Sequence, residues 1–182
     1  MRARLGILLL TLTACTTSTP ASPPSSPTTQ PTARTTTARV AKPRAMIDPC
    51  EVLKADDFAT IGPLTTAPKS EQGKSTPCNY DVQNSNPAGV LDVRVEFGPT
   101  FREWIELYAK VNGDVEEVDF EGHSSFSGCP TSDQGMACLR VIAVSAQYTM
   151  NIIVGQPGAN ESQLAAFSDQ LAHRALGNLP PA

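Results

Sequence analysis

Five cysteines are the residues of this sequence with the clearest chemistry. Setting Cys15 aside leaves an even set, which suits two disulfides in an oxidising compartment and allows three pairings. The pairs Cys50–Cys78 and Cys129–Cys138 are favoured because each cysteine then lies beside its partner across a single loop. A zinc site is the rival interpretation, but the spacings contain no C-x-x-C pair.

Cys15 stands in a stretch that has the pattern of a lipidation signal. Two arginines precede an apolar run over residues 5–12, and Thr13-Ala14 stand directly before the cysteine. This order is typical of a secretory signal peptide, and the final cysteine resembles a bacterial lipobox. The apolar run is far shorter than the roughly 20 residues that span a membrane. We therefore expect residues 1–14 to be removed and Cys15 to carry lipid chains that anchor the protein in the cell membrane.

A second candidate site is the run of residues 114–121, which concentrates five carboxylates. Glu117, Asp119 and Glu121 alternate with apolar residues, as in a strand with an acidic outer face. The run lacks the order of ligands and the turn glycine of an EF-hand, so we expect no resident metal. A solvated strand face is the simplest interpretation. A surface for a basic partner or a cation is the alternative.

Three aromatic residues recur at helical spacing, namely Phe101, Trp104 and Tyr108. Together with Ile105 and Val111 they form one apolar face, which usually packs into a core. Against a sheet, the same face could line a pocket for a small apolar ligand.

Motifs for catalysis are incomplete. Gly73-Lys74-Ser75 resembles the end of a phosphate-binding loop, but Pro68 stands where the first glycine belongs. Residues 122–128 hold serines beside His123, yet none has the flanking glycines of a nucleophile elbow. A Ser-His-acid triad would rest on His123 alone, because His173 falls on the polar side of a predicted helix. The sequence predicts no enzyme, no catalytic residue and no cofactor.

Charge divides the chain into two parts. Residues 16–47 carry four basic residues and no acid, and they are dominated by Thr, Ser, Pro and Ala. This composition predicts that residues 15–47 form a disordered tether. Six of the 14 Lys and Arg residues precede Asp48 and all 18 Asp and Glu residues lie from there on, which leaves eight positive against 18 negative charges. An acidic domain over residues 48–182 argues against binding to nucleic acid.

The elements that must position these residues follow from the apolar periodicity. Capping patterns predict helices at Asp48-Pro49, at Thr100 and at Asn160; whether the first segment is one helix or two stays open. Alternation predicts strands over residues 78–82, 91–97, 118–120, 138–144 and 148–154, with 124–127 as a continuation. Hairpin-like connections without a βαβ rhythm predict an α+β fold, an antiparallel β-sheet flanked by amphipathic helices.

Several of these features together resemble one family. They are the lipobox, the Thr/Pro-rich tether, Asp48-Pro49-Cys50 followed by Leu53, and Cys78 followed by an aromatic residue at Tyr80. The combination resembles small actinobacterial lipoproteins grouped under a domain of unknown function, to which mycobacterial LprB and LprC are similar. The resemblance implies placement in the cell envelope, disulfides and a sheet of the Mog1/PsbP type, and it carries no catalytic residues. Tyr80 stands where that family usually has a tryptophan.

The sequence therefore predicts a membrane-anchored extracytoplasmic lipoprotein that acts as a non-enzymatic binding or interaction module. Its partner would be an envelope protein or a small ligand. The alternative function is a carrier of a lipid or small apolar ligand in a pocket between helix and sheet, behind Trp104.

Overall fold

The computed structural model of the chain describes residues 47–70, 77–133 and 135–179. The predicted signal peptide, Cys15 and the tether up to residue 46 lie outside these residues. Within them, eight antiparallel strands form the sheet, in the order β1-β2-β3-β8-β7-β5-β4, with β6 paired to β7. The strands are β1 (Lys69–Ser70), β2 (Cys78–Ser85), β3 (Ala88–Gly98), β4 (Val118–Phe120), β5 (His123–Gly128), β6 (Thr131–Ser132), β7 (Gly135–Ala143) and β8 (Thr149–Gly155). The predicted α+β class is confirmed.

Two α-helices flank the sheet, α1 (Phe101–Asn112) and α2 (Glu161–Asn178). Each begins with the predicted capping box: the backbone N–H of Glu103 donates to Thr100, and that of Gln163 donates to Asn160. No helix in the described part of the chain is both long and apolar enough to cross a membrane.

The first predicted segment, for which one helix or two stayed open, consists of two separate 3₁₀ turns, Pro49–Glu51 and Ala55–Phe58. Asp48 caps the first turn by accepting a hydrogen bond from the backbone N–H of Cys50 at 2.8 Å. Lys54, which lies between the two turns, has an extended backbone conformation. Its backbone N–H donates to the carboxylate of Asp57 at 2.8 Å. A continuous helix is interrupted here, because the backbone N–H of Lys54 bonds to a side chain and Lys54 caps a second turn.

One face of the sheet carries the main core and is covered by α2; we call it the α2 face. Tyr80 is buried on this face, and its hydroxyl donates to the carbonyl oxygen of Pro49 at 3.1 Å. Burial raises the pKa of Tyr80 to about 12. The hydrogen bond attaches the N-terminal turns to β2. The fully buried strand residues of this core include Cys78, Val82, Leu91, Val93, Val95, Met150, Ile152 and Val154.

A buried arginine fastens α2 to the sheet. Arg140 on β7 is 7% exposed, and its Nη2 lies 2.6 Å from Oδ1 of Asp169 on α2. Nη1 donates to the hydroxyl of Ser125 at 3.4 Å, and the guanidinium lies 4.8 Å from the ring centroid of Phe120. These partners compensate the charge, which would otherwise be costly to bury.

Both predicted disulfides are confirmed. Cys50–Cys78 joins the first 3₁₀ turn to β2, and Cys129–Cys138 closes the hairpin of β6 and β7. Their sequence separations are 28 and 9 residues. In the chain-entropy model, loops of these lengths contribute about 3.5 and about 2.6 kcal/mol to stability.

The opposite face, which we call the α1 face, is only partly covered. Helix α1 packs by placing aromatic side chains directly over glycines: a Cβ at Gly98 would overlap the indole nitrogen of Trp104, and one at Gly128 would overlap the hydroxyl of Tyr108. Phe126 is fully buried, 5.2 Å from Tyr108 between ring centroids. The glycines are required here because no other residue leaves room for these rings.

Val111 does not share this apolar contact, contrary to the prediction. It is 81% exposed, and Leu107 on the same helix is 51% exposed. Seven residues after Trp104, Val111 lies only about 20° from it around the helix axis, so its exposure comes from its place in the last turn of α1, beyond the rings that contact the sheet. No residue of α1 is fully buried.

We predict that Gly98→Ala detaches α1 locally. The added Cβ would overlap the Trp104 indole and also meet the Asn151 amide and the Thr149 hydroxyl within 3 Å. We expect a loss of about 2 kcal/mol in the free energy of unfolding, as for other overpacked sites. Trp104 is the single tryptophan, so its fluorescence emission reports this contact and should shift to longer wavelength. Gly177→Ala is the control, because no atom lies within 4 Å of its added Cβ. Unchanged emission in Gly98→Ala would contradict the packing.

Candidate binding groove on the open sheet face

A groove of about 550 Å³ lies on the part of the α1 face that α1 leaves uncovered. Its floor is formed by β2, β3 and β8, and its walls by the β6–β7 hairpin and residues 156–159. Strand residues alternate between faces, so the neighbours of the buried Tyr80 and Val93 face this groove. The floor residues are Asn79, Asp81, Asp92, Arg94 and Ile153.

Both walls of the groove are held by buried contacts. Asn84 and Gln156 are each 4% exposed, and the Asn84 amide donates to Oε1 of Gln156 at 2.7 Å. Gln156 in turn donates to the carbonyl oxygen of Pro87 at 2.6 Å, which ties the segment after β8 to the β2–β3 turn. The Cys129–Cys138 disulfide closes the hairpin that forms the other wall. The groove is therefore largely preformed, as ligand-binding sites usually are.

Two carboxylates stand directly opposite each other on the groove floor. Asp81 on β2 and Asp92 on β3 are partners in the sheet register. Side chains at such positions lie about 5 Å apart at Cβ, and like charges there are destabilising. Burial raises the pKa of Asp92, and the charge of Asp81 raises it further. Asp81 accepts a hydrogen bond from the hydroxyl of Thr66 at 3.3 Å.

Arg94 does not neutralise this pair. Among the described residues that line the groove it is the one basic residue, but its Nε donates to Oε2 of Glu96 at 3.0 Å. The Nη2 atom lies 2.9 Å from the same oxygen. Asp92 forms no ion pair with a residue of the described part of the chain. The groove floor therefore keeps an excess of negative charge.

The sequence prediction missed this carboxylate pair, although a signal was present. Residues 84–89 are dense in turn-forming types, and Asp92 stands at a polar position of the predicted strand over residues 91–97. A turn centred on Asn86-Pro87 pairs Ser85 with Ala88, and counting outward brings Asp81 opposite Asp92. The exact centre of the turn was the missing information.

The acidic run lies at the other end of the sheet, where β4 is the edge strand. Asp119 accepts a hydrogen bond from the N–H of Gly122 at 3.2 Å, and Glu121 lies 2.7 Å from Nδ1 of His173. Glu117 is exposed. As an apolar position of the predicted strand over residues 118–120, Val118 should face the core. It is 37% exposed, because so short an edge strand buries only Phe120. A role of these carboxylates in partner binding stays a prediction.

The predicted pocket aromatics are in contact with the sheet and do not line the groove. With its amide oriented by its neighbours, Asn151 accepts a hydrogen bond from Nε1 of Trp104 at 3.2 Å. Phe101 and Tyr108 pack against Phe126. Because these rings meet the sheet directly, their arrangement is that of a packed helix–sheet contact.

The remaining candidate groups are dispersed. His123 is 4% exposed, and its Nδ1 lies 2.9 Å from the carbonyl oxygen of Ala143. His173 lies on α2, stacked on Phe120 at 4.5 Å between centroids. In residues 47–70, 77–133 and 135–179, no three His, Cys, Asp or Glu side chains are grouped so that they could hold a metal ion.

We predict that Asp92→Asn stabilises the protein at pH 7, by about 0.5 kcal/mol, because it removes one of two opposed like charges. The pKa of Asp92 is higher in the folded than in the unfolded chain. The folded chain therefore holds this proton more tightly, and Asp92 costs stability only as the pH rises above its unfolded pKa of about 3.9. Urea unfolding at pH 7 and pH 3.5 should show the gain only at pH 7. The exposed Asp114→Asn is the control, and an equal gain in that variant would contradict the pairing.

Comparison with known proteins identifies a family. A family described as "Protein of unknown function (DUF3558)" matches residues 10–178. No curated protein and no solved structure matches the chain significantly. The family match spans nearly the whole sequence, including all the strands and both helices. The chain therefore belongs to the family of proteins of unknown function DUF3558.

Proposed function

We propose that this protein is a membrane-anchored, extracytoplasmic lipoprotein that binds a partner in the groove of the α1 face and catalyses no reaction. The observation that carries the proposal is the preformed groove with Asp81 and Asp92 opposed on its floor. Proteins rarely keep like charges in direct cross-strand contact without a compensating benefit, because the pair costs stability. The partner is an envelope protein or a small ligand.

Cysteine pairing supports the anchor. The sequence has five cysteines, and the two disulfides use four of them. Cys15 has no remaining cysteine partner in its own chain, which agrees with lipidation at the lipobox-like stretch. Disulfides agree with an oxidising, extracytoplasmic compartment. The resemblance to small actinobacterial lipoproteins points in the same direction.

The positions of the histidines support a non-enzymatic role. His123 would have to serve as the base of a Ser-His-acid triad, and its Nδ1 already faces a backbone carbonyl oxygen in a buried position. His173 faces Glu121. Neither histidine lines the groove.

The carrier function is the less favoured proposal. It needs an apolar cavity behind Trp104, whereas the indole lies directly over Gly98 and bonds to Asn151. The groove that lies elsewhere on this face has a charged floor, which suits a polar or cationic partner better than a lipid chain.

The anchor predicts a specific modification. In the native host, we expect the mature chain to begin at Cys15 and to carry a diacylglyceryl group there, because two acyl chains are needed for stable anchoring. Mass spectrometry of the N-terminal peptide measures this, and Cys15→Ser should move the protein from the membrane to the soluble fraction. A non-reducing peptide map that joins Cys15 to a domain cysteine would contradict the assignment.

The groove predicts where a partner makes contact. Two exposed valines form a matched pair for photo-crosslinking in cells: Val90, 41% exposed on β3 near Asp92, and Val118, 37% exposed beside the acidic run. We expect a benzoylphenylalanine at Val90 to give an adduct of defined mass. The adduct should be absent when the same residue is placed at Val118.

A groove-filling variant controls this experiment. A Cβ at Gly155 meets its nearest neighbours at 3.7 and 3.8 Å, which is ordinary contact, so Gly155→Leu should fold and fill the groove. Gly177→Leu adds the same side chain in open space on α2. The adduct should be lost only in Gly155→Leu. An adduct from Val118 that survives groove filling would place the partner at the acidic run instead.

A further inference from the structure

Helix α1 and the groove lie side by side on the same face of the sheet, as a ridge beside a hollow. We propose that the partner of the groove is a second copy of this chain, whose α1 places Lys110 between Asp81 and Asp92. The inference rests on the groove of the proposed function and names its occupant. It predicts a symmetric dimer in which each copy supplies both a helix and a groove.

Exposed apolar side chains on α1 are the first argument. Leu107 is 51% exposed and Val111 is 81% exposed, and a spacing of four residues makes them neighbours on the helix. Around the helix axis, Val111 lies about 20° and Leu107 about 60° from Trp104, both in the same direction. Trp104 contacts β3 and β8, whereas Tyr108 lies over β5, so the exposed pair is on the side of α1 toward the groove strands. A contiguous apolar patch beside a groove is typical of an interaction site.

Charge complementarity is the second argument. Residues 107–113 contain Lys110 and no acid. Lys110 lies about 180° from Phe101 around the helix axis, so it points away from its own sheet. It is exposed, and within the described part of the chain it forms no ion pair. Its ammonium group, placed between Asp81 and Asp92 of another copy, converts a repulsive pair of carboxylates into a bridged one.

The two acids of α1 leave this contact open. Glu103 is turned toward the start of its own helix, where it accepts hydrogen bonds from the N–H of Thr100 at 2.9 Å and from its hydroxyl at 2.7 Å. Glu106 lies one helical turn before Lys110 and is exposed. We expect it to stay at the solvated rim of the interface.

Symmetry is the third argument. A two-fold axis that lies in the interface, between helix and groove, places each α1 opposite the groove of the other copy. Leu107 and Val111 are on the side of α1 that faces this axis, so they meet the same residues of the second copy. One arrangement therefore covers both apolar pairs and neutralises both carboxylate pairs. Because each groove is used once, assembly ends at two chains.

A membrane surface is the poorer occupant for the exposed side of α1. The helix carries two acids against two bases, and residues 114–121, which follow it, hold five carboxylates. Anionic headgroups attract segments with an excess of positive charge, which this region lacks.

The photo-crosslink from Val90 tests the identity of the partner. Val90 and Asp92 lie two residues apart on one face of β3, so a benzoylphenylalanine at Val90 is within reach of a helix docked on the groove floor. In the full chain in its native membrane, we expect an adduct of two copies, joined from residue 90 of one to residues 107–112 of the other. Coexpression of two copies with different C-terminal tags should give an adduct that carries both tags.

Exchanged charges test the ion pair. When both copies carry Lys110→Glu, or both carry Asp81→Lys with Asp92→Lys, like charges meet and the two-tag adduct should fall about ten-fold or more. One copy of each kind, coexpressed, should restore most of the yield, because one contact is then unchanged and the other is reversed in sign. Restoration also shows that both variants fold. Arg174→Glu, the same change of charge on α2, is the control and should leave the yield unchanged.

The outcomes separate this inference from the proposed function. A Val90 adduct with a different protein, a small molecule or a lipid overturns the dimer and leaves the groove as a binding site. A two-copy adduct that the charge changes do not reduce, or that the mixed pair does not restore, overturns the contact of Lys110. If Val90 gives no adduct in any variant, the proposed function fails together with the inference.

Discussion

The register of the β2–β3 hairpin is the constraint on which the rest of this structure depends. Side chains of a strand alternate between faces, so a slip of one residue would exchange the two faces completely. The observed register places Cys78, Tyr80 and Val82 on the α2 face, where Cys78 meets Cys50 and Tyr80 holds the N-terminal turns. The same register places Asp81 against Asp92 on the other face. Core, disulfide and groove are consequences of one pairing.

The two faces of the sheet are stabilised in different ways. On the α2 face, apolar side chains are closely packed, and the buried cation Arg140 has a carboxylate, a hydroxyl and an aromatic ring as partners. On the α1 face, a single helix rests on glycines and leaves a charged floor exposed beside it. Apolar residues on the groove floor, covered by a further helix, would have given a more stable protein without a groove. In the function that we propose, the uncompensated carboxylates cost stability and serve binding.

Much of this fold could be predicted from local patterns, and the site could not. The capping residues at Thr100 and Asn160, the alternation of residues 91–97 and the pairing of neighbouring cysteines depend on short-range physics that a sequence displays directly. The groove depends on strand order: β8 lies between β3 and β7, so its floor joins residues more than 60 positions apart. The contacts of Trp104 also depend on glycines in a different element, which periodicity within α1 does not reveal.

The pairing of the cysteines has a consequence for how the chain matures. Each disulfide joins a cysteine to the next one along the domain, so the two loops are neither nested nor crossed. If the chain is exported as we propose, a polypeptide that emerges N-terminus first presents Cys78 as the first domain thiol available to Cys50. The first loop can therefore close before Cys129 and Cys138 appear. Under that proposal, oxidation in the order of emergence would produce the native pairing without reshuffling of bonds.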